Sequence, residues 1–263
     1  MKFFQLLYRL FQFIKHYISG GNEHSIHSPF VYGIYTRIIQ NHGLPVYEIV
    51  DQHYFELIEN EHFIENINPG AGTSMVSAKK IRVKQLARDS IKQLPWRQLI
   101  CRLTHERDPK VIIELGTSFG VTTAYLALTC PDAKVYTFEA NPVLAQLART
   151  LFQESGIHNI EIIEGNIDHT LVPFLRSIGK VDVAYIDANH RFRPSIRYAE
   201  HLMDHVHEKS LLILDDLYWS YEMTKAWKGL CHKKKVTASI DLWQIGLMYF
   251  RKEQVKENFK LRF

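Results

Sequence analysis

From Asp108 onward, short runs of apolar residues alternate with longer stretches in which apolar positions recur every three or four residues. The runs VIIEL (111–115), KVYTFE (134–139), IEIIE (160–164), VDVAYID (181–187) and LLILDD (211–216) have the length and β-branched content of buried strands. The stretches between them read as amphipathic helices with recognisable ends. Asn141 and Pro142 stand as N-cap and first helical residue, Leu144, Leu147 and Leu151 form an apolar stripe, and Gly156 closes the element. Strand and helix in alternation predict a parallel α/β sheet. After SYEMTKAWKGL, the runs KVTASIDLW and IGLMYFRK are separated by too few residues for a helical crossover, so they are expected to pair antiparallel.

Before Asp108 the pattern is helical, with no strand expected. Helices are predicted around FVYGIYTRIIQ and VYEIVDQHYFELI, followed by a stretch from Ile81 to Glu106 broken near Pro95. This division predicts a helical cap over residues 1–80 and a core over 81–263. In the first helix, MKFFQLLYRLFQFIKHYISGG, the residues Lys2, Gln5, Arg9, Gln12 and His16 form a narrow polar stripe opposite a broad aromatic face. That face needs a cover: the chain's own domain, a second copy in a homodimer, or a membrane surface contacted through residues 1–20. The segment is too polar to span a bilayer, and no small-residue cleavage site follows it.

Composition narrows the partners. A formal charge of +4 over 263 residues is too small and too dispersed to point to nucleic acid. Cys101, Cys130 and Cys231 form neither a CxxC pair nor an even set, which disfavours disulfides and zinc and fits a reducing, cytoplasmic setting, with the inner membrane surface as the place of any peripheral contact.

Two glycine-rich stretches could cradle an anionic cofactor, NPGAGTSM (68–75) and ELGTSFG (114–120). Only the second follows a strand and opens a helix, the position at which open α/β sheets bind ligands. The first is expected to be a connector or, alternatively, a lid over the occupied site. The spacing of Gly116 and Gly120 departs from the G-x-G-x-x-G of dinucleotide sites, which leaves an NAD-dependent oxidoreductase as a lesser reading. A non-catalytic cofactor-binding or interaction module at a membrane is a further alternative.

ELGTSFGVTT resembles the first motif of the class I S-adenosylmethionine-dependent methyltransferases, in particular the catechol-type O-methyltransferase branch. HSIHSPFVY, DDLYWSYEMTKAW and IDLWQIGLMYFRK are similar to a bacterial group within that class. The resemblance implies a Rossmann-like seven-stranded sheet, mostly parallel with the last strand antiparallel, and O-directed methyl transfer to a small molecule. By that resemblance Glu114, Gly116, Thr117, Ser118 and Gly120 line the methionine end of S-adenosylmethionine, Glu139 accepts the ribose hydroxyls, and Asn166 and Ile167 lie beside the adenine. Asp187 borders the cofactor and, with Asp215 and Asp216, holds a divalent cation such as Mg²⁺. His190 stands where catechol-type enzymes often carry a lysine that acts as base; an imidazole can do this work near neutral pH. Arg191, Arg193 and Arg197, clustered at a helix start that disfavours cations, are read either as a solvated face or as a sign of an anionic group on the acceptor. A D-P-P-Y motif after the fourth strand, which would signal DNA N-methylation, is replaced by DANH.

Overall fold

The computed structural model describes residues 2–41, 43, 46–65 and 80–263. NPGAGTSM, whether connector or lid, lies outside the described residues. In chain order the elements are α1 (Lys2–Ser19), α2 (Pro29–Ile34), α3 (Glu48–Glu59), β1 (Phe63–Glu65), β2 (Lys80–Arg82), α4 (Val83–Ser90) and α5 (Leu94–His105). There follow β3 (Val111–Leu115), α6 (Val121–Thr129), β4 (Lys134–Glu139), α7 (Pro142–Glu154), β5 (Ile160–Glu164), α8 (Ile167–Ser177), β6 (Val183–Ile186) and α9 (Phe192–Met203). The chain closes with β7 (Leu211–Asp215), α10 (Tyr221–Cys231), β8 (Ala238–Asp241), β9 (Ile245–Tyr249) and β10 (Glu257–Lys260). They form two compact units, one of Met1–His42 with Lys180–Phe263 and one of Gly43–Gly179.

In the second unit, β3, β4 and β5 pair in parallel, with Val111 opposite Lys134 and Val135 opposite Ile160. Continuous apolar runs, as expected of parallel strands covered on both faces, place Ile112, Ile113, Leu115, Val135 and Phe138 in the core. The capping signals read from the sequence are realised at α7, where Asn141 Oδ1 accepts the Val143 N–H at 3.0 Å and Pro142 occupies the first turn. β1 and β2 pair antiparallel. This corrects the expectation that no strand precedes Asp108; each strand has three residues of mixed polarity, too short to carry a period.

The first unit orders its strands β10-β8-β9-β7-β6. β6 and β7 run parallel, β9 is antiparallel to both β7 and β8, and β10 returns parallel to β8. The α/β class therefore stands, but among the described residues eight strands of this kind occur and not seven, five in this unit and three in the other, and the antiparallel one is β9 rather than the last. The additional strand, ENFK, lies at a sheet edge and carries a single apolar residue, so it had no apolar run to announce it. Beyond it, the Arg262 N–H donates to the Gly21 carbonyl at 3.2 Å and the Gly21 N–H to the Lys260 carbonyl at 2.8 Å, so the segment after α1 is bonded to the last residues of the chain.

α1 is turned the opposite way to a core helix. Its polar side faces the unit: Gln5 Nε2 donates to the Trp219 carbonyl at 2.9 Å, Tyr8 OH donates to Thr224 Oγ1 at 2.8 Å, and buried His16 places Nε2 3.0 Å from Asp241 Oδ1. Its apolar side is exposed, with Phe4 at 76%, Phe11 at 65% and Ile18 at 74% of full exposure. The chain's own domain is thus not the cover for this face among the described residues. No described helix is long and apolar enough to cross a membrane. Cys101, Cys130 and Cys231 are unpaired and buried, and burial pushes each thiol up to about 12.

Candidate active site

Within the second unit, β3 delivers the chain into a tight turn. Gly116, Ser118 and Gly120 have φ of 106°, 50° and 80°, and α6 starts directly after Gly120. The turn is fixed to the neighbouring strand, since the Gly116 and Thr117 N–H groups both donate to the Phe138 carbonyl at 3.1 Å. Thr117 is buried and its Oγ1 lies 2.7 Å from Thr137 Oγ1, so what it turns outward is backbone. Ser118 N–H donates to Glu139 Oε2 and Asn141 N–H to Glu139 Oε1, each at 2.8 Å, which joins the glycine turn to the acidic end of β4. Burial raises the Glu139 carboxyl above its ordinary range. Asn166 caps α8, its Oδ1 accepting the Asp168 N–H at 2.9 Å, so only its amide Nδ2 is left to meet an adenine edge. Ile167 beside it is half-buried.

Glu114 is 1% exposed on β3. Its Oε2 accepts from Thr123 Oγ1 and, at 2.7 Å, from Thr137 Oγ1, while Oε1 has no hydrogen-bond partner among the described residues. Desolvation pushes the carboxyl up to about 7, against the two threonine donors. The folded chain therefore keeps a proton that the unfolded chain loses above the ordinary value of 4.5. Stability from this group is complete below that value and is lost as pH rises through about 7, a fall on the order of 3 kcal/mol. Urea unfolding at pH 5 and at pH 8 is expected to show this loss in the ligand-free chain, and Glu114→Gln is expected to flatten it.

Within the first unit, β6 and β7 end side by side. Tyr185 OH donates to Asp215 Oδ2 at 2.7 Å and lies 3.1 Å from Asp187 Oδ2. Burial and the carboxylates of Asp187, Asp215 and Asp216 hold this phenol well above its usual range, so it stays a donor. Asp215, 1% exposed, also accepts the Asp216 N–H on Oδ1 at 2.8 Å. His190 Nε2 is 3.4 Å from Asp187 Oδ1 and 4.0 Å from Asp216 Oδ2, and its ring lies 6.4 Å from that of Trp219. Asp187, Asp215, Asp216 and His190 are thus brought together, and Glu114, Ser118 and Glu139 likewise in their own unit. Sequence reading missed Tyr185 and Thr137; each stands two residues before a predicted carboxylate on the same face of its strand, and that period-two relation was the available signal.

Residues 113–217 match the family described as a methyltransferase domain. A transmembrane O-methyltransferase of Propithecus coquereli is 32% identical to this chain over 83 residues, 30% of each chain. A catechol O-methyltransferase of Mycobacterium tuberculosis is 32% identical over 94 residues, 35% of this chain and 42% of that one. The chain therefore spans less than half the length of these curated relatives. An O-methyltransferase from Bacillus cereus, solved in complex with S-adenosylhomocysteine, superposes with a TM-score of 0.58 at 12% identity, over 81% of this chain and 96% of that structure, a likeness of fold.

The residues of this segment fit S-adenosylmethionine, the cofactor that the resemblance implies. The buried Glu114 Oε1 has no donor among the described residues, and an ammonium group would supply one. Mg²⁺ fits less well. Both oxygens of Asp215 are engaged, Tyr185 stands between Asp215 and Asp187, and among the described residues no three His, Cys, Asp or Glu side chains converge on a point that could hold a metal. No step is therefore assigned to a metal.

Proposed function

We propose that the chain transfers a methyl group from S-adenosylmethionine to an oxygen of a small hydroxylated molecule. The observation that carries this reading is the glycine turn bonded to Glu139 above a buried Glu114 with an unsatisfied oxygen. Glu114, the backbone of Gly116 to Gly120, and Glu139 would hold the cofactor, with Asn166 and Ile167 at its adenine. When bound, it supplies an electrophilic methyl on a sulfonium sulfur, so the protein has to align an acceptor and remove one proton. His190 takes that proton from the acceptor hydroxyl. With Nε2 turned toward Asp187, Nδ1 is the accepting atom, and the Asp187 carboxylate stabilises the imidazolium that forms. The acceptor oxygen would gain the methyl as the methyl–sulfur bond breaks and its proton passes to His190, giving a methyl ether and S-adenosylhomocysteine.

Arg191, Arg193 and Arg197 are exposed on or beside the start of α9, so a solvated face accounts for them without an anionic acceptor. The three unpaired, buried thiols support a reducing, cytoplasmic setting. Calorimetry with S-adenosylhomocysteine is the first test: the unaltered chain is expected to bind it and Glu139→Ala to lose at least about tenfold in affinity, as expected for a lost charge-assisted contact. His190→Ala is expected to keep that affinity while turnover on a panel of catechols and phenols falls about 10²- to 10⁴-fold. Absence of cofactor binding by the unaltered chain would sink the reading, and unchanged turnover in His190→Ala would remove the base.

A further inference from the structure

α1 spends its polar residues on its own protein. Gln5, Tyr8 and His16 are bonded to Trp219, Thr224 and Asp241, and the Phe13 ring packs edge-on against Trp243 at 5.2 Å. The outward surface that remains is almost wholly apolar. At about 100° per residue it runs from Phe13 through Leu10 and Ile14 to Phe4, roughly half the circumference of a helix about 27 Å long. The helix contains no acidic residue, and exposed Arg9 and Lys15 lie along the two borders of the arc.

We propose that α1 lies in the plane of an anionic membrane surface with this arc immersed. A broad apolar face, cations along its edges and the absence of acidic residues are the features of an interfacial helix, whose lysine and arginine stems lie along the apolar boundary while their charges meet lipid phosphates. A second copy fits poorly. A partner helix covers a stripe of about 100°, and an isologous contact would bring Arg9 and Lys15 against their own counterparts with no carboxylate on either helix to receive them. A continuous apolar medium covers the whole arc and an anionic surface answers both borders. Gln5 and the Arg9 guanidinium, 4.8 Å from the Trp219 ring centre, both hold Trp219, so the seated helix carries the His190 corner with it.

The test is sedimentation of the full chain with vesicles of phosphatidylcholine alone and of phosphatidylcholine mixed with phosphatidylglycerol. The chain is expected to sediment with the mixed vesicles, and its partitioning to fall at least tenfold on neutral vesicles and in the double variant Leu10→Gln, Ile14→Gln. Both positions face outward, so the variant is expected to keep its circular dichroism spectrum and melting temperature, which separates lost binding from lost fold. Failure of the unaltered chain to sediment with mixed vesicles overturns the proposal; a dimer seen by light scattering and dissociated by the same substitutions would assign the face to a second copy. Affinity for S-adenosylhomocysteine, measured on the same samples, reports on the methyltransferase reading separately: its retention beside absent vesicle binding defeats the anchor alone.

Discussion

Asp51→Ala is expected to destabilise the second unit by about 3–5 kcal/mol, the cost of leaving a buried cation without its partner. Arg97 on α5 is 1% exposed and its Nη2 donates to Asp51 Oδ1 on α3 at 3.0 Å. The other oxygen of Asp51 accepts from Tyr125 OH on α6 at 2.6 Å, so one carboxylate joins three helices. The rings of Tyr54 and Tyr125, with centres 5.0 and 4.9 Å from the guanidinium carbon, flank the cation. Arg97 Nε and Nη1 have no hydrogen-bond partner among the described residues, so little remains to hold the charge once the carboxylate is removed. Burial, the largest cause of the raised Tyr125 phenol and the one that remains without Asp51, keeps it from taking over as an anion. Urea unfolding should show the loss as a lower midpoint. Adding Arg97→Met, which removes the stranded charge and keeps an unbranched apolar chain, should restore most of it; a loss under about 1 kcal/mol in the single variant would mean that water reaches the cation.

Gly120→Ala is expected to cost about 2–5 kcal/mol and to abolish measurable binding of S-adenosylhomocysteine. Two separate terms contribute. The residue sits at φ 80°, ψ 3°, where a Cβ costs about 1–2 kcal/mol of backbone strain. The added carbon would lie 2.8 Å from Ala148 Cβ and from two carbons of the Phe152 ring, and such overpacking costs about 1–3 kcal/mol more. Both neighbours stand on α7, so relief requires α6 and α7 to part at the cradle itself. Gly156 supplies an internal control: its φ is also positive, at 62°, yet an added Cβ there meets nothing within 4 Å. Gly156→Ala should carry the backbone term alone and leave cofactor affinity unchanged. Equal losses at the two positions would show that packing against α7 is not what makes Gly120 necessary.

Much of the sheet was legible because buried parallel strands are short, continuous and apolar. VIIEL, KVYTFE and IEIIE coincide with β3, β4 and β5 end to end. Asn141, Pro142 and Gly156 marked α7 because each has one local physical task. What was lost lay where local pattern is weak or where a distant partner decides. β1, β2 and β10 are short edge elements of mixed polarity. Periodicity in α1 separated a polar stripe from an apolar face, but which side faces the protein depends on Trp219, Thr224 and Asp241, more than 200 residues away. The same limit applies to Asp187, Asp215 and Asp216. Their position at the strand ends could be read, whereas the engagement of Asp215 by its neighbour's N–H and by Tyr185 could not.

The bonding of Gly21 to the last residues sets an order of events during synthesis. His16 and its partner Asp241 are 225 residues apart, an interval of roughly 10–45 s at translation rates of about 5–20 residues per second. During that time α1 has been made while Asp241, Lys260 and Arg262 do not yet exist, and neither its polar stripe nor Gly21 has found its place. α1 therefore waits for β10, and whatever receives its apolar face can do so before the corner of His190 and Trp219 beside it has been assembled.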